Sequence, residues 1–292
     1  MEEIEASQYR IPKGVQGKAG CVGTVVEGEC IATGEPVAIK EVDLQSKRYQ
    51  KVFQNELYAM EKLAGSDKLV DIHSAFVRGD HGYIVMEKLD NDLLHFVLDK
   101  GRLEEPQAKE IFYKVLQAVK YMHDNSFSHR DIKPENILIE MNDKECTVKL
   151  CDFGTAKEFT KKEFVTGVCG TVLYCAPEVK MRIPYDPRKA DVYSLGVLLH
   201  VMLTGLFPFE AQYTEKPKPD DVPDAVIVYD MLSKEAASLI ELMLRPSPKA
   251  RISLQEILKH SWLKKHHKAA KVKLRDHIPH SLSTLRQKLN KQ

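Results

Sequence analysis

Nine consecutive residues, Ser128-His129-Arg130-Asp131-Ile132-Lys133-Pro134-Glu135-Asn136, gather side chains that could move a phosphoryl group. A carboxylate such as Asp131 can take a proton from an incoming hydroxyl. Lys133, two places on, can neutralise charge on the group in flight, and Asn136 can reach a metal ion with an amide oxygen. A second oxygen ligand of the same kind follows in Asp152-Phe153-Gly154. Upstream, Val37-Ala38-Ile39-Lys40 reads as a buried strand that aims one ammonium out of an apolar run, and Glu56 lies sixteen residues later on an apolar-faced helix. Alone, a Lys or a Glu is most often a solvated surface residue. The order and placement of these residues argue against that here.

Elements of two kinds must hold these groups. Val22–Val26, Val37–Val42 and Tyr83–Met86 are short β-branched or aromatic runs broken by glycine and polar residues, as in strands. One helix interrupts them, with Phe53, Leu57, Met60 and Leu63 at helical spacing. After Leu93 the period changes. Ile111, Phe112, Val115, Leu116, Val119 and Met122 mark an amphipathic helix over Ala108–His123, and further helices are expected at Asp191–Leu203, Lys234–Leu244 and Leu254–Lys259. The expectation is α+β: a small β-rich lobe with one helix over residues 9–86, a hinge at 87–91, and a larger, mostly helical lobe over 92–263. Residues 1–8 form a short extension and 264–292 a tail.

The 292 residues suffice for two lobes, and 43% hydrophobic with 29% charged is ordinary for a globular protein. The net charge of +1 hides an asymmetry: nine Lys/Arg and one Asp give the tail from Lys264 a charge of +8, which leaves −7 on the other 263 residues. None of the six cysteines forms a Cys-x-x-Cys pair, so reduced thiols in the cytoplasm or nucleus are expected. The acidic start is no secretory signal, Glu2 excludes myristoylation, and the most apolar stretch, Tyr193–Phe207, is too short to span a bilayer.

The spacing H-R-D-x-x-x-x-N, followed by D-F-G, resembles the catalytic parts of protein kinases. The resemblance runs from about Tyr9 to Trp262 and implies the two-lobed protein kinase-like fold. It implies ATP and Mg²⁺ as cofactors, with Mn²⁺ as a substitute, and transfer to Ser or Thr of protein substrates. Asp131 would be the base, with Lys133, Lys40, Glu56 and Thr171 as its catalytic companions, and Asn136 and Asp152 the metal ligands. Gly17-Lys18-Ala19-Gly20-Cys21-Val22-Gly23 resembles the glycine-rich loop, although Lys18 stands where the family's first glycine falls. Val25, Ala38 and Leu138 would sandwich adenine, Met86 would be the gatekeeper, and the backbone of Glu87 and Leu89 would bond the ring edge. Gly170–Glu178 resembles the Ser/Thr form of the activation-segment end. Glu178 would pair with Arg251, and Asp191 would anchor the catalytic loop. His129 is assigned a structural role.

Regulation and specificity follow from the same resemblance. Arg130, with Lys157, would meet a phosphate on Thr166 or, second, Thr160, placed there by an activating kinase. Asp92 and Glu135 match positions at which basophilic kinases, including the calmodulin-dependent group, hold an upstream arginine. The other reading of Asp92 is a helix cap. The tail's Leu282, Leu285 and Leu289 stripe fits calmodulin, another regulator, or a solvated extension, and its lack of interleaved aromatics argues against nucleic acid. A pseudokinase scaffold is the competing class. Only Lys18 points towards it.

Overall fold

The structure is a computed structural model that describes residues 2–3, 8–11, 17–20, 22–142, 146–160, 164–167, 169–209 and 225–264. Cys21 and all but the first residue of the basic tail lie outside that set. The contacts divide the chain into two units. One holds the described residues up to Leu89 together with Asp152–Gly154; the other holds Asp90–Cys151 and the described residues from Thr155 on. The division therefore falls within the expected hinge.

The first unit contains β1 (Glu2–Glu3), β2 (Tyr9–Ile11), β3 (Lys18–Gly20), β4 (Gly23–Cys30), β5 (Pro36–Asp43), α1 (Lys47–Lys62), β6 (Ile72–Arg78) and β7 (His81–Glu87). The strands form one antiparallel sheet in the order β1-β2-β4-β5-β7-β6, with β3 also paired to β4. Alternation along β5 explains its two faces. Val37 and Ile39 pack with Val85 against Tyr9, Ile11, Val26, Phe76 and Tyr83. Ala38 and Lys40 point to the other face. On α1 the buried stripe is Phe53, Glu56, Leu57, Ala59 and Met60, so one carboxylate sits inside an apolar face. Strand β6 escapes the alternation test because its register slips between Ile72 and Ser74, and a slip of that kind breaks the period of two.

The second unit contains β8 (Asn91–Asp92), α2 (Leu93–Lys100), α3 (Glu105–Asp124), β9 (Phe127–Ser128), β10 (Ile137–Met141), β11 (Cys146–Leu150), β12 (Lys157–Glu158), α4 (Pro177–Lys180), α5 (Pro187–Thr204), α6 (Lys234–Met243) and α7 (Leu254–Ile257). Helix α5 is buried on nearly every side. It begins four residues before the expected Asp191, because Asp186 caps it through the Arg188 N–H and Pro187 supplies a pre-set first turn. Helix α7 stops two residues short of Lys259, although a full Ser253/Glu256 capping box starts it. No helix among the described residues is long and apolar enough to cross a membrane. No disulfide joins the five described cysteines.

Candidate active site

Each unit carries its own cluster of the expected residues. In the first unit, Lys40 Nζ lies 2.9 Å and 2.7 Å from the two oxygens of Glu56 and 3.0 Å from Asp152 Oδ1. Both Lys40 and Glu56 are buried. Burial alone would lower the lysine's pKa, but the charges of Glu56 and Asp152 outweigh it and hold Lys40 above its ordinary value. Burial pushes the Glu56 carboxyl up against the pull of Lys40, with Asp152 adding to the push. These two directions favour different charge states for the pair. The lysine's direction governs at neutral pH, because its ammonium faces two carboxylates at hydrogen-bond distance. Asn55, one residue before Glu56, donates to the carbonyl of Gly154 at 2.9 Å. Helix α1 thus holds both the Glu56 carboxylate and the Asp152–Gly154 backbone. Asp152 itself has φ of +63°, a conformation uncommon outside glycine and often found at functional positions.

The nucleotide-side residues lie on this sheet in a defined register. Val25 is opposite Lys40, and Ala38 is opposite Met86. Directly opposed residues share a face, so Val25, Ala38, Lys40 and Met86 line one side of the sheet. Lys18, Ala19, Gly20 and Gly23 belong to the β3–β4 hairpin, and Gly17 immediately precedes it. Glu87 ends β7 and donates its N–H to the carbonyl of Asp71. Leu89 is the last buried residue before the division. Met60, Leu63, Leu69, Val70, Ile72 and Phe153 line a small cleft of about 20 Å³ within the unit.

In the second unit the nonapeptide is held from behind by Asp191 of α5. Its Oδ1 accepts the Arg130 N–H at 2.8 Å. Its Oδ2 accepts from the His129 N–H at 3.0 Å and from Ser128 Oγ at 2.8 Å, with His123 Nε2 also at 2.8 Å. Burial would raise this carboxyl, but the hydrogen bond and charge of His123 and the loop N–H groups win and hold it below its ordinary range. His129 accepts the Asp131 N–H at Nδ1, which assigns the proton to Nε2, and that atom donates to the carbonyl of Cys151 at 3.0 Å. The ring therefore shapes the loop. Arg130 takes φ of +66°, held by Thr155 O at 2.8 Å and by a hydrogen bond with Tyr185.

This frame presents Asp131. Its Oδ1 accepts the Thr171 N–H at 2.7 Å, and its Oδ2 accepts Asn136 Nδ2 at 3.2 Å with Lys133 Nζ at 3.1 Å. Lys133 also donates to Thr171 Oγ1 at 2.8 Å. Asn136 commits its Nδ2 to the side chain and the carbonyl of Asp131, which leaves Oδ1 as its ligand atom. Gly170 permits the contact with Thr171: its φ is +83°, and a Cβ there would stand 2.4 Å from the carbonyl of Arg130. Leu138 is on β10, opposite Asp92.

Arg251 meets Glu178 bidentately at 2.7 Å and 3.0 Å. Asp92 caps α2, with its Oδ1 accepting the His95 N–H at 2.9 Å and the His95 ring beside both oxygens. The capping geometry therefore occupies it. Glu135 differs: its Oε2 is buried with no hydrogen-bond partner among the described residues, and its charge is one cause that pushes Tyr174 up, after burial. Thr160, Thr166 and Lys157 are exposed. Sequence reasoning gave no role to His123, Ser128, Asn55 or Tyr185, whose partners lie tens of residues away.

Residues 16–263 match the protein kinase domain model. Serine/threonine-protein kinase D2 of Rattus norvegicus is 33% identical over 271 residues, 89% of this chain and 30% of that protein. The ovarian-specific serine/threonine-protein kinase Lok of Drosophila melanogaster is 33% identical over 278 residues, 90% of this chain and 58% of that protein. Sperm motility kinase Z of Mus musculus is 31% identical over 232 residues, 79% of this chain and 46% of that protein. The chain thus spans between about a third and three fifths of these relatives. With a β-rich unit, a helical unit and a matched segment that covers most of its length, the chain belongs to the protein kinase domain family.

Proposed function

We propose that this chain is an active protein kinase, transferring the γ-phosphoryl group of Mg-ATP to Ser or Thr hydroxyls of protein substrates. The observation that carries the reading is the Asp131 carboxylate, fixed between the Thr171 N–H and Asn136 Nδ2 with Lys133 beside it. A carboxylate so held can orient an incoming hydroxyl and accept its proton late in transfer, a contribution typically worth ~10²–10⁴-fold. Lys133, anchored to Thr171, places positive charge beside the reacting group. Lys40, kept protonated by Glu56 and Asp152, positions the α- and β-phosphates. The intact Lys40–Glu56 pair is what a pseudokinase scaffold has no need to keep.

The family uses ATP and a divalent metal in general. The residues here fit Mg²⁺. Its preferred ligands are hard oxygens, and it keeps waters and phosphate oxygens in its shell rather than an all-protein cage. Asp152, whose side chain is 40% exposed, offers carboxylate oxygen, and Asn136 offers Oδ1. When bound, the ion neutralises charge on the phosphates.

For specificity we favour a basic residue upstream of the acceptor, read by Glu135 rather than Asp92. The buried, unpartnered Glu135 Oε2 is an acceptor suited to a guanidinium, whereas Asp92 is occupied as a cap. Activation by a phosphate on Thr166 or Thr160, received by Arg130 and Lys157, a calmodulin-type regulator on the tail, and residence in the cytoplasm or nucleus complete the proposal. A Ser/Thr peptide library incubated with Mg-ATP tests it. Enrichment of arginine before the acceptor, lost in Glu135→Gln and kept in Asp92→Asn, is the expected result. Absence of transfer to every peptide would remove the active-kinase reading.

A further inference from the structure

Gly17-Lys18 departs from the family's glycine-rich loop, and the strand register gives the departure a direction. Lys18 of β3 stands opposite Val25 of β4, and Val25 stands opposite Lys40 of β5. Opposed residues on antiparallel strands project to the same face. Lys18, Val25 and Lys40 therefore form one cross-strand row. Two strand spacings, about 10 Å, separate the backbones of the two lysines. The neighbouring position could not have carried the side chain instead. Gly17 faces the opposite side, where a Cβ would stand 2.0 Å from Thr24 Cγ2 and 2.8 Å from Val26 Cγ1.

This face carries further charges. Lys40 is countered by Glu56 and Asp152. Beyond Val25 along β4, Glu27 faces the same way, is well exposed and pairs with Lys88 at 3.1 Å. Lys18 is exposed, opposite Val25 at the end of β3 away from the turn. Its flexible four-carbon stem can swing an ammonium towards a polyanion that Lys40 holds from the same side. Resting on the nucleotide-binding reading of this sheet face, we infer that Lys18 is a second phosphate-positioning lysine, placed at a family glycine so that the loop grips a nucleotide polyphosphate by charge as well as by backbone.

The test compares nucleotides that differ only in phosphate. Calorimetric titration of wild type, Lys18→Gly, Lys18→Met, Lys18→Arg and Lys40→Met with Mg-ATP, Mg-ADP and adenosine reads affinity without requiring turnover. Lys18→Gly and Lys18→Met should bind Mg-ATP about five- to tenfold more weakly, near the worth of one charge-assisted contact. Their adenosine affinity should stay within twofold. Lys18→Arg should restore ATP affinity, and raising salt should narrow the gap between wild type and Lys18→Met. An equal loss for adenosine, an unchanged ATP affinity, or tighter ATP binding by Lys18→Gly would overturn the inference while leaving the kinase reading intact. Wild type that binds neither nucleotide would remove the kinase reading, and this inference with it.

Discussion

The most quantitative consequence of the fold concerns Arg251. This side chain is sealed in the helical unit, and all five of its N–H groups find an acceptor. Nε donates to Arg245 O, Nη1 to Glu178 Oε1 and Lys189 O, and Nη2 to Glu178 Oε2 and Pro246 O. The guanidinium also lies 4.9 Å from the centre of the Tyr193 ring. Removing one partner of a buried ion pair strands the other charge and costs about 3–5 kcal/mol. Arg251→Ala should therefore lower the melting temperature by about 10 °C, at roughly 2–4 °C per kcal/mol for a protein of this size. Arg251→Lys keeps the charge but has three donors at a single point, so it loses at least two of the five bonds and should cost about 2 kcal/mol. The double variant Arg251→Met/Glu178→Leu leaves no stranded charge and should melt above Arg251→Met alone. Thermal unfolding followed by near-ultraviolet circular dichroism reads these four together with Glu178→Leu alone. If Arg251→Ala melts within 2 °C of wild type, or if the double variant shows the plain sum of the two single losses, the buried pair does not hold the end of the activation segment.

Two further outcomes follow. Gly170→Ala places a Cβ against the carbonyl of Arg130 at a positive φ, so it should displace the Thr171 N–H from Asp131 and lower kcat with little change in nucleotide affinity; unchanged kcat would show that the Thr171 contact is dispensable. Burial pulls Lys180 down to about 8, from 10.5, so the folded protein sheds this proton before the unfolded chain does. Stability should rise with pH between those values, by about 1 kcal/mol once solvent screening is allowed for, and Lys180→Met should lack that rise in pH-resolved chemical denaturation.

Much of the candidate site was readable from the chain because its parts are local. Asp131, Lys133 and Asn136 fall within six residues, and a single loop brings them together. Strand β5 was readable because Val37, Ala38 and Ile39 form an apolar run that ends on a single Lys40. What escaped has physical causes. The register slip in β6 hides its period, and α2 spans only eight residues, so its Asp92 cap was a clearer signal than its apolar pattern. The Asp191 network joins residues more than sixty apart, and no local pattern announces that His123 and Ser128 share its oxygen. The choice between the two readings of Asp92 needed the His95 N–H, and the contrast with Glu135 needed burial. Lys18 shows the limit most plainly. The sequence reveals an odd residue in a glycine-rich loop, while only strand register says which face it takes.

The central claim is that Asp131 readies a hydroxyl for attack on the terminal phosphate of ATP. Single-turnover transfer from γ-labelled Mg-ATP to a Ser/Thr peptide, measured for wild type and Asp131→Ala at saturating nucleotide, tests it most directly. The account predicts nucleotide affinity within twofold of wild type and a transfer rate reduced by ~10²-fold or more. Transfer by Asp131→Ala at the wild-type rate would contradict it.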